Sequence, residues 1–97
     1  MTEEKDENVV FIGNKPFMNY VTSTVIQFTA KNRKEVVIKA RGKFINRAVD
    51  VAEVVSKRFL QEKNITIKNI KIDSEEFENQ EGKKVNVSII EITLAQK

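Results

Sequence analysis

Lys39-Ala-Arg-Gly-Lys-Phe-Ile-Asn-Arg47 gathers four cations into nine residues around one glycine, Gly42, between an apolar strand-like run and an apolar helix-like run. Groups of this kind hold anions: guanidinium offers a planar fork of donors, ammonium a compact point charge, and both match phosphate oxygens. A second cationic corner, Gly13-Asn14-Lys15-Pro16, closes an earlier apolar run. The chemistry on offer is recognition. The chain has no Cys and no His, which removes thiolate nucleophiles, Cys/His metal sites and the side chain that titrates near neutrality unperturbed. Its three glycines form no GxGxxG or GxxxxGK[ST] loop to cradle a nucleotide. The expectation is a protein that is not an enzyme, with no catalytic residues, no metal or other cofactor and no small-molecule substrate.

Charge along the chain points to the class of anion. The net charge is +3, yet residues 8–72 carry thirteen Lys and Arg against four acids (Glu35, Asp50, Glu53, Glu62), a balance of +9. The other acids gather mainly at Glu3, Glu4, Asp6 and Glu7 and between Asp73 and Glu81. A basic body suits a polyanion, and an unevenly charged but merely solvated surface is the plainer alternative. Ninety-seven residues, 40% apolar and 32% charged, suit one domain at 8–97 behind an acidic, flexible tail at 1–7. No apolar run reaches the roughly 20 residues that a bilayer crossing needs. The acidic start reverses the order of a secretory signal, so the expectation is an intracellular protein without a membrane partner.

These corners must be positioned by flanking elements. Asn8 to Ile12 reads as a strand, and Pro16 suits the first position of a helix whose apolar residues Phe17, Val21, Val25 and Phe28 recur at helical spacing. Glu35 to Ala40 reads as a second strand, parallel to the first through a right-handed crossover. Phe44 to Leu60 reads as a second helix with a wide apolar face that includes Val51 and Val54. Such a face is either enclosed within one chain or shared with a second subunit, and the latter is the expectation.

The last third reads as a hairpin around Gln80-Glu81-Gly82, with Gly82 left-handed, Phe77 opposite Val85, Ile72 opposite Ile90 and Ile70 opposite Ile92. Ile70, Ile72, Ile90, Ile92 and Leu94 share one face, whereas Phe77, Val85, Val87 and Ile89 share the other. The base should therefore bury one face in the core while the outer part projects as an arm; a bulge within an ordinary sheet is the alternative. The order βαβαββ gives an α+β two-layer sandwich with a mixed four-stranded sheet and two helices.

In that order the two cationic corners follow parallel strands and lie side by side at helix starts, where backbone N–H groups favour anions. Asn14, Lys15, Pro16, Arg41, Gly42, Lys43, Asn46 and Arg47 are the candidate contacts. Pairing of the cations with Asp50 and Glu53 is the alternative. Tyr20 could hydrogen-bond, stack or fill the core. Lys83, Lys84 and Asn86 are the arm's candidates, opposed by Glu75, Glu76, Glu78 and Glu81. Spread along an edge, these cations suit a nucleic-acid backbone better than a small phosphate.

The strings "NVVFIGNKPFMNYV", "EVVIKARGKFINRAVDVAEVVSKRFL" and "VNVSIIEITL" resemble the Alba family of archaeal chromatin and DNA- and RNA-binding proteins across nearly the whole chain from residue 8. The resemblance implies a fold like the C-terminal domain of translation initiation factor three. It implies a homodimer that binds double-stranded DNA and RNA without marked sequence preference, compacts or coats the chromosome, and so resides in the cytoplasm at the nucleoid. Loops after the strands would grip phosphates and two arms would follow the minor groove. The family's loop lysine falls on Lys15, its basic loop on Arg41, Gly42 and Lys43, and its helix cation on Arg47. Phe59 falls on a residue implicated in contacts between dimers along DNA, and on residues alone it reads as core. With Val51, Val54 and Leu60 it forms the expected subunit contacts. Two positions depart from the family: Asn14 replaces a second lysine, a proposed acetylation site, and Asn86 replaces the arm's arginine. Weaker or altered binding follows. An RNA chaperone or ribonucleoprotein subunit, and a scaffold whose acidic arm recruits a basic partner, are the alternatives.

Overall fold

The structure, a computed structural model, describes residues 8–59 and 63–96. The expected tail at 1–7 and Leu60 lie outside the described residues. In chain order the elements are β1 (Val9–Phe11), α1 (Phe17–Thr29), β2 (Glu35–Arg41), a 3-10 turn (Gly42–Phe44), α2 (Ile45–Val54) continued by a π-helical turn (Val55–Phe59), β3 (Ile65–Glu78) and β4 (Lys84–Gln96). The sheet order is β1-β2-β4-β3, with β1 parallel to β2 and the other pairs antiparallel. The expected α+β order with a mixed four-stranded sheet is the one observed. Among the described residues, no helix is long and apolar enough to cross a membrane.

Two helix boundaries differ from expectation. Pro16 takes the N-cap position, with an extended ψ of 142°, and the helix begins one residue later. The second helix is not continuous from Phe44: a 3-10 turn precedes it and a π turn ends it. Ser56 Oγ donates to the carbonyl of Ala52 at 2.9 Å, competing with the backbone for that acceptor, which is a known way to disturb an α-helical ladder.

Alternation builds the core. In β2, Val36, Ile38 and Ala40 face the helices and are buried, and their β4 partners Leu94, Ile92 and Ile90 are buried beside them. Val21, Thr24 and Phe28 of α1 and Ala48, Val51 and Ala52 of α2 close the second layer. Thr24 is the buried polar member, and its hydroxyl donates to the carbonyl of Tyr20 at 2.8 Å, so its burial leaves no orphan donor. The wide face of α2 is thus largely consumed within the chain. Val51, expected at a subunit contact, is wholly enclosed in its own core and offers no surface; Val54 is half-buried and Phe59 exposed.

The hairpin has the expected register, including Phe77 opposite Val85 and Ile72 opposite Ile90. Its turn is closed by Asn79, whose Oδ1 accepts from the N–H groups of Glu81 and Lys83 at 2.9 and 3.0 Å, with Gly82 at φ 81°. The one irregularity lies between Ile67 and Asn69, at the base, so no bulge explains the change of apolar phase farther out. Instead β2 ends against Ile89, and residues beyond it on β3 and β4 form a two-stranded arm without a third strand. Burial at the base is one-sided. Ile90, Ile92 and Leu94 are in the core, but Ile70 and Ile72, expected there too, are 56% and 77% exposed. The reason is position: β3 is the sheet's edge, while α2 lies over β2 and β4.

Leu94 sits at the centre of the layer with no exposed surface. Leu94→Ala should destabilise the fold by about 2–5 kcal/mol, read from denaturant unfolding followed by circular dichroism.

Candidate nucleic-acid interface

The site begins with strand ends. Parallel pairing sets Phe11 level with Lys39, and the Ile12 N–H donates to the Lys39 carbonyl at 2.9 Å, so the chain leaves β1 and β2 at the same sheet edge. From β1 it passes through Gly13 to Pro16 into α1. From β2 it passes through Gly42, whose φ of 58° disfavours any side chain, into the 3-10 turn and α2.

Two hydrogen bonds join these exits, and a third ties the first loop to α1. Arg47, in the first turn of α2, donates through Nη1 to the carbonyl of Gly13 at 3.2 Å and to that of Lys15. The Lys15 N–H in turn donates to the Tyr20 hydroxyl at 3.0 Å. Of the roles open to Tyr20, the structure therefore shows core filler and loop anchor: its ring is buried and its hydroxyl is an acceptor for the loop. Arg47, expected to touch phosphate, is engaged by the loop carbonyls. That contact also eases the placing of a cation at a helix start, because carbonyl dipoles face it.

Both α1 and the 3-10 turn leading into α2 lack a side-chain cap, and neither helix has an acid in its first turn. The leading N–H groups of α1 and of the 3-10 turn lack intrahelical partners, whereas the Asn19 N–H donates to the Pro16 carbonyl at 3.0 Å and the Ile45 N–H, at the start of α2, to that of Gly42. Lys15 and Lys43 stand beside them, exposed. Among the described residues no carboxylate reaches either ammonium; Lys43 lies 5.4 Å from the Phe44 ring centroid. The alternative pairing with Glu53 is not formed, since Glu53 binds Lys57 at 3.2 Å. Asn14, Pro16 and Asn46 are exposed around the same corner. Open N–H groups and unpaired ammoniums at one edge form a surface for successive anions.

The other expected contacts are not gathered there. Lys83, Lys84 and Asn86 are exposed on the arm. Lys84 lies opposite Glu78 and Asn86 opposite Glu76, so acids share the arm's cationic face. Two features escaped sequence reasoning. Arg41 pairs with Glu75 at 3.7 Å, and Phe11 is 59% exposed on the sheet face away from the helices, with Lys39 Nζ 5.9 Å from its ring centroid. The second was available in outline, because Phe11 is out of phase with buried Val10 and Ile12. Among the described residues no cluster of three or more acids could hold a metal ion.

Such a chain is a two-layer α+β domain with a cationic pair of uncapped helix starts at one edge and a projecting arm. It belongs to the Alba family, whose profile matches residues 8–74. It is similar to the DNA/RNA-binding protein Alba of Methanocella arvoryzae, 54% identical over 89 residues that cover 92% of this chain and 90% of that one. It is also similar to the DNA/RNA-binding protein Alba of Methanococcus maripaludis, 49% identical over 88 residues covering 91% and 97%. Among solved structures, Alba from Thermoplasma volcanium superposes with a TM-score of 0.83 at 44% identity, covering 92% of this chain and all of that one. These relatives are named as binding proteins, and the family is not one of enzymes.

The loop anchors can be tested apart from any ligand. Tyr20→Phe removes the acceptor for Lys15, and Arg47→Lys keeps the charge but loses the fork. Each should cost about 1 kcal/mol of stability and speed amide exchange at Lys15, measured by NMR.

Proposed function

We propose that the chain is a homodimeric chromatin protein that binds double-stranded DNA, and RNA, through backbone phosphates with little sequence preference, coating or compacting the chromosome in the cytoplasm. The observation that carries this reading is the pair of uncapped helix starts beside unpaired Lys15 and Lys43. It offers several phosphate positions along an edge. The names of the relatives, DNA/RNA-binding proteins, support the same class of partner. Arg41, at the end of β2, adds a cation to this edge, while Arg47 shapes the loop that presents Lys15.

The dimer is supported by the apolar stripe along the helix side of β3, where Ile70 and Ile72 are exposed on an edge that the chain's own helices leave uncovered. A second copy is a natural cover for such a stripe. Val54 and exposed Phe59 extend the apolar surface on the second helix and support further contacts between dimers on DNA; Val51 is excluded by its burial. Asn14 and Asn86 leave fewer cations than the family pattern, and the arm's acids reduce its attraction for phosphate. Binding is accordingly modest, and acetylation at position 14 is not available.

The relatives' names couple DNA with RNA, which favours keeping an RNA-binding role as the second reading. Arg41→Glu combined with Lys43→Glu should weaken duplex binding at least tenfold across unrelated sequences. It should also flatten the slope of log affinity against log salt by roughly 2–4, about one unit per lost phosphate contact. Running the same titration on structured RNA of matched length separates the two readings by their ratio. An unchanged slope on both would reject the site, and salt-insensitive or absent binding would favour a protein scaffold.

Ile72→Lys, at a position too exposed to disturb the chain's own core, should convert a dimer to a monomer in sedimentation equilibrium. A dimer that persists would place the interface elsewhere.

A further inference from the structure

Arg41 is the last residue of β2, and Ile89 opposite it on β4 lies opposite Asp73 on β3. Glu75, two residues farther along β3, returns to the same sheet face by the period of the strand. Its carboxylate reaches back across β4 to Arg41, Nη2 to Oε1 at 3.7 Å. The side chain directly opposite Glu75 is Val87, so no cation faces it within the hairpin, whereas Glu78 lies opposite Lys84. At 3.7 Å the contact is looser than a charge-assisted hydrogen bond, and both side chains are more than half exposed, 58% and 55%. Such a pair holds weakly and exchanges readily. The two residues also form walls of one cleft on the open sheet face, together with Phe11, Lys39 and Ile89.

We propose that Glu75 sets the affinity of the nucleic-acid surface by competing with phosphate for Arg41. The inference rests on the reading that Arg41 meets a phosphate. A phosphate approaching Arg41 must either displace the carboxylate or sit beside its negative charge, and each lowers affinity. Glu75 thus differs from the arm's other acids. Glu76, opposite Asn86, acts through general repulsion, whereas Glu75 acts on the cation at the end of β2.

A double-mutant cycle tests this. The wild type, Glu75→Gln, Arg41→Ala and the double variant are titrated against a fluorescent 20-base-pair duplex at several salt concentrations. Glu76→Gln, opposite Asn86, reports the effect of removing an arm charge that faces no cation. Glu75→Gln should tighten binding by about two- to fivefold, more than Glu76→Gln, and steepen the salt slope by about one unit. The gain should vanish when Arg41 is Ala. A gain of equal size in the Arg41→Ala background, or none in the wild type, overturns the proposal while leaving the phosphate reading intact. If Arg41→Ala alone changes neither affinity nor slope, the phosphate contact at Arg41 and the proposal fall together.

Discussion

The guanidinium of Arg47 spans the gap between α2 and the loop leaving β1, donating to the carbonyls of Gly13 and Lys15. Without that bridge the two strand exits would be neighbours in the sheet but independent as loops. With it, and with Tyr20 receiving the next N–H, the ammonium of Lys15 is carried by a backbone fixed to both helices. On the proposed reading this rigidity matters because phosphates along a backbone are regularly spaced, and cations held at a fixed separation lose less entropy on meeting them. A planar fork can take two carbonyls at once, which an ammonium on a flexible stem does less well.

The sheet divides its work along its length and across its width. Its inner strands, β2 and β4, carry the core beneath the helices, so their burial is complete and local. Its edge strand β3 carries apolar residues that the helices do not reach, and its outer half leaves the sheet altogether as an arm. A single long hairpin therefore contributes to stability at one end, to reach at the other and, on the proposed reading, to association along its flank. The register fixed by Asn79 and Gly82 keeps these three roles in phase, since a slip of one residue would exchange the faces throughout.

Much of this was legible from residue pattern. Alternation and turn chemistry yielded the strands and the hairpin pairing, and the cationic corners were found because charge is visible in sequence. What was not legible depended on partners distant in the chain. Pattern placed Ile70 and Ile72 on the same face as Ile90 and Ile92, but only the lateral reach of α2 decides which of them is covered. Val51 was assigned to a subunit contact because a wide apolar face does not say which part its own sheet consumes. That Arg47 also bridges the carbonyls of Gly13 and Lys15 is hidden in the sequence, because no sequence displays backbone acceptors. Arg41 and Glu75 come from different ends of the sheet's topology, and nothing local pairs them. Pro16 and the π turn moved boundaries by a residue or a turn, where ψ and the hydroxyl of Ser56 outweigh periodicity.

The absence of side-chain caps on both helices has a thermodynamic side. A cap contributes about 0.5–2 kcal/mol to a helix, and here that contribution is left to be supplied from outside. An anion that binds the folded chain at these ends and finds no such arrangement in the unfolded chain shifts the folding equilibrium by mass action. Fold and ligand are in this sense partial halves of one cooperative unit. On the proposed reading the domain would be harder to unfold with nucleic acid bound than without it.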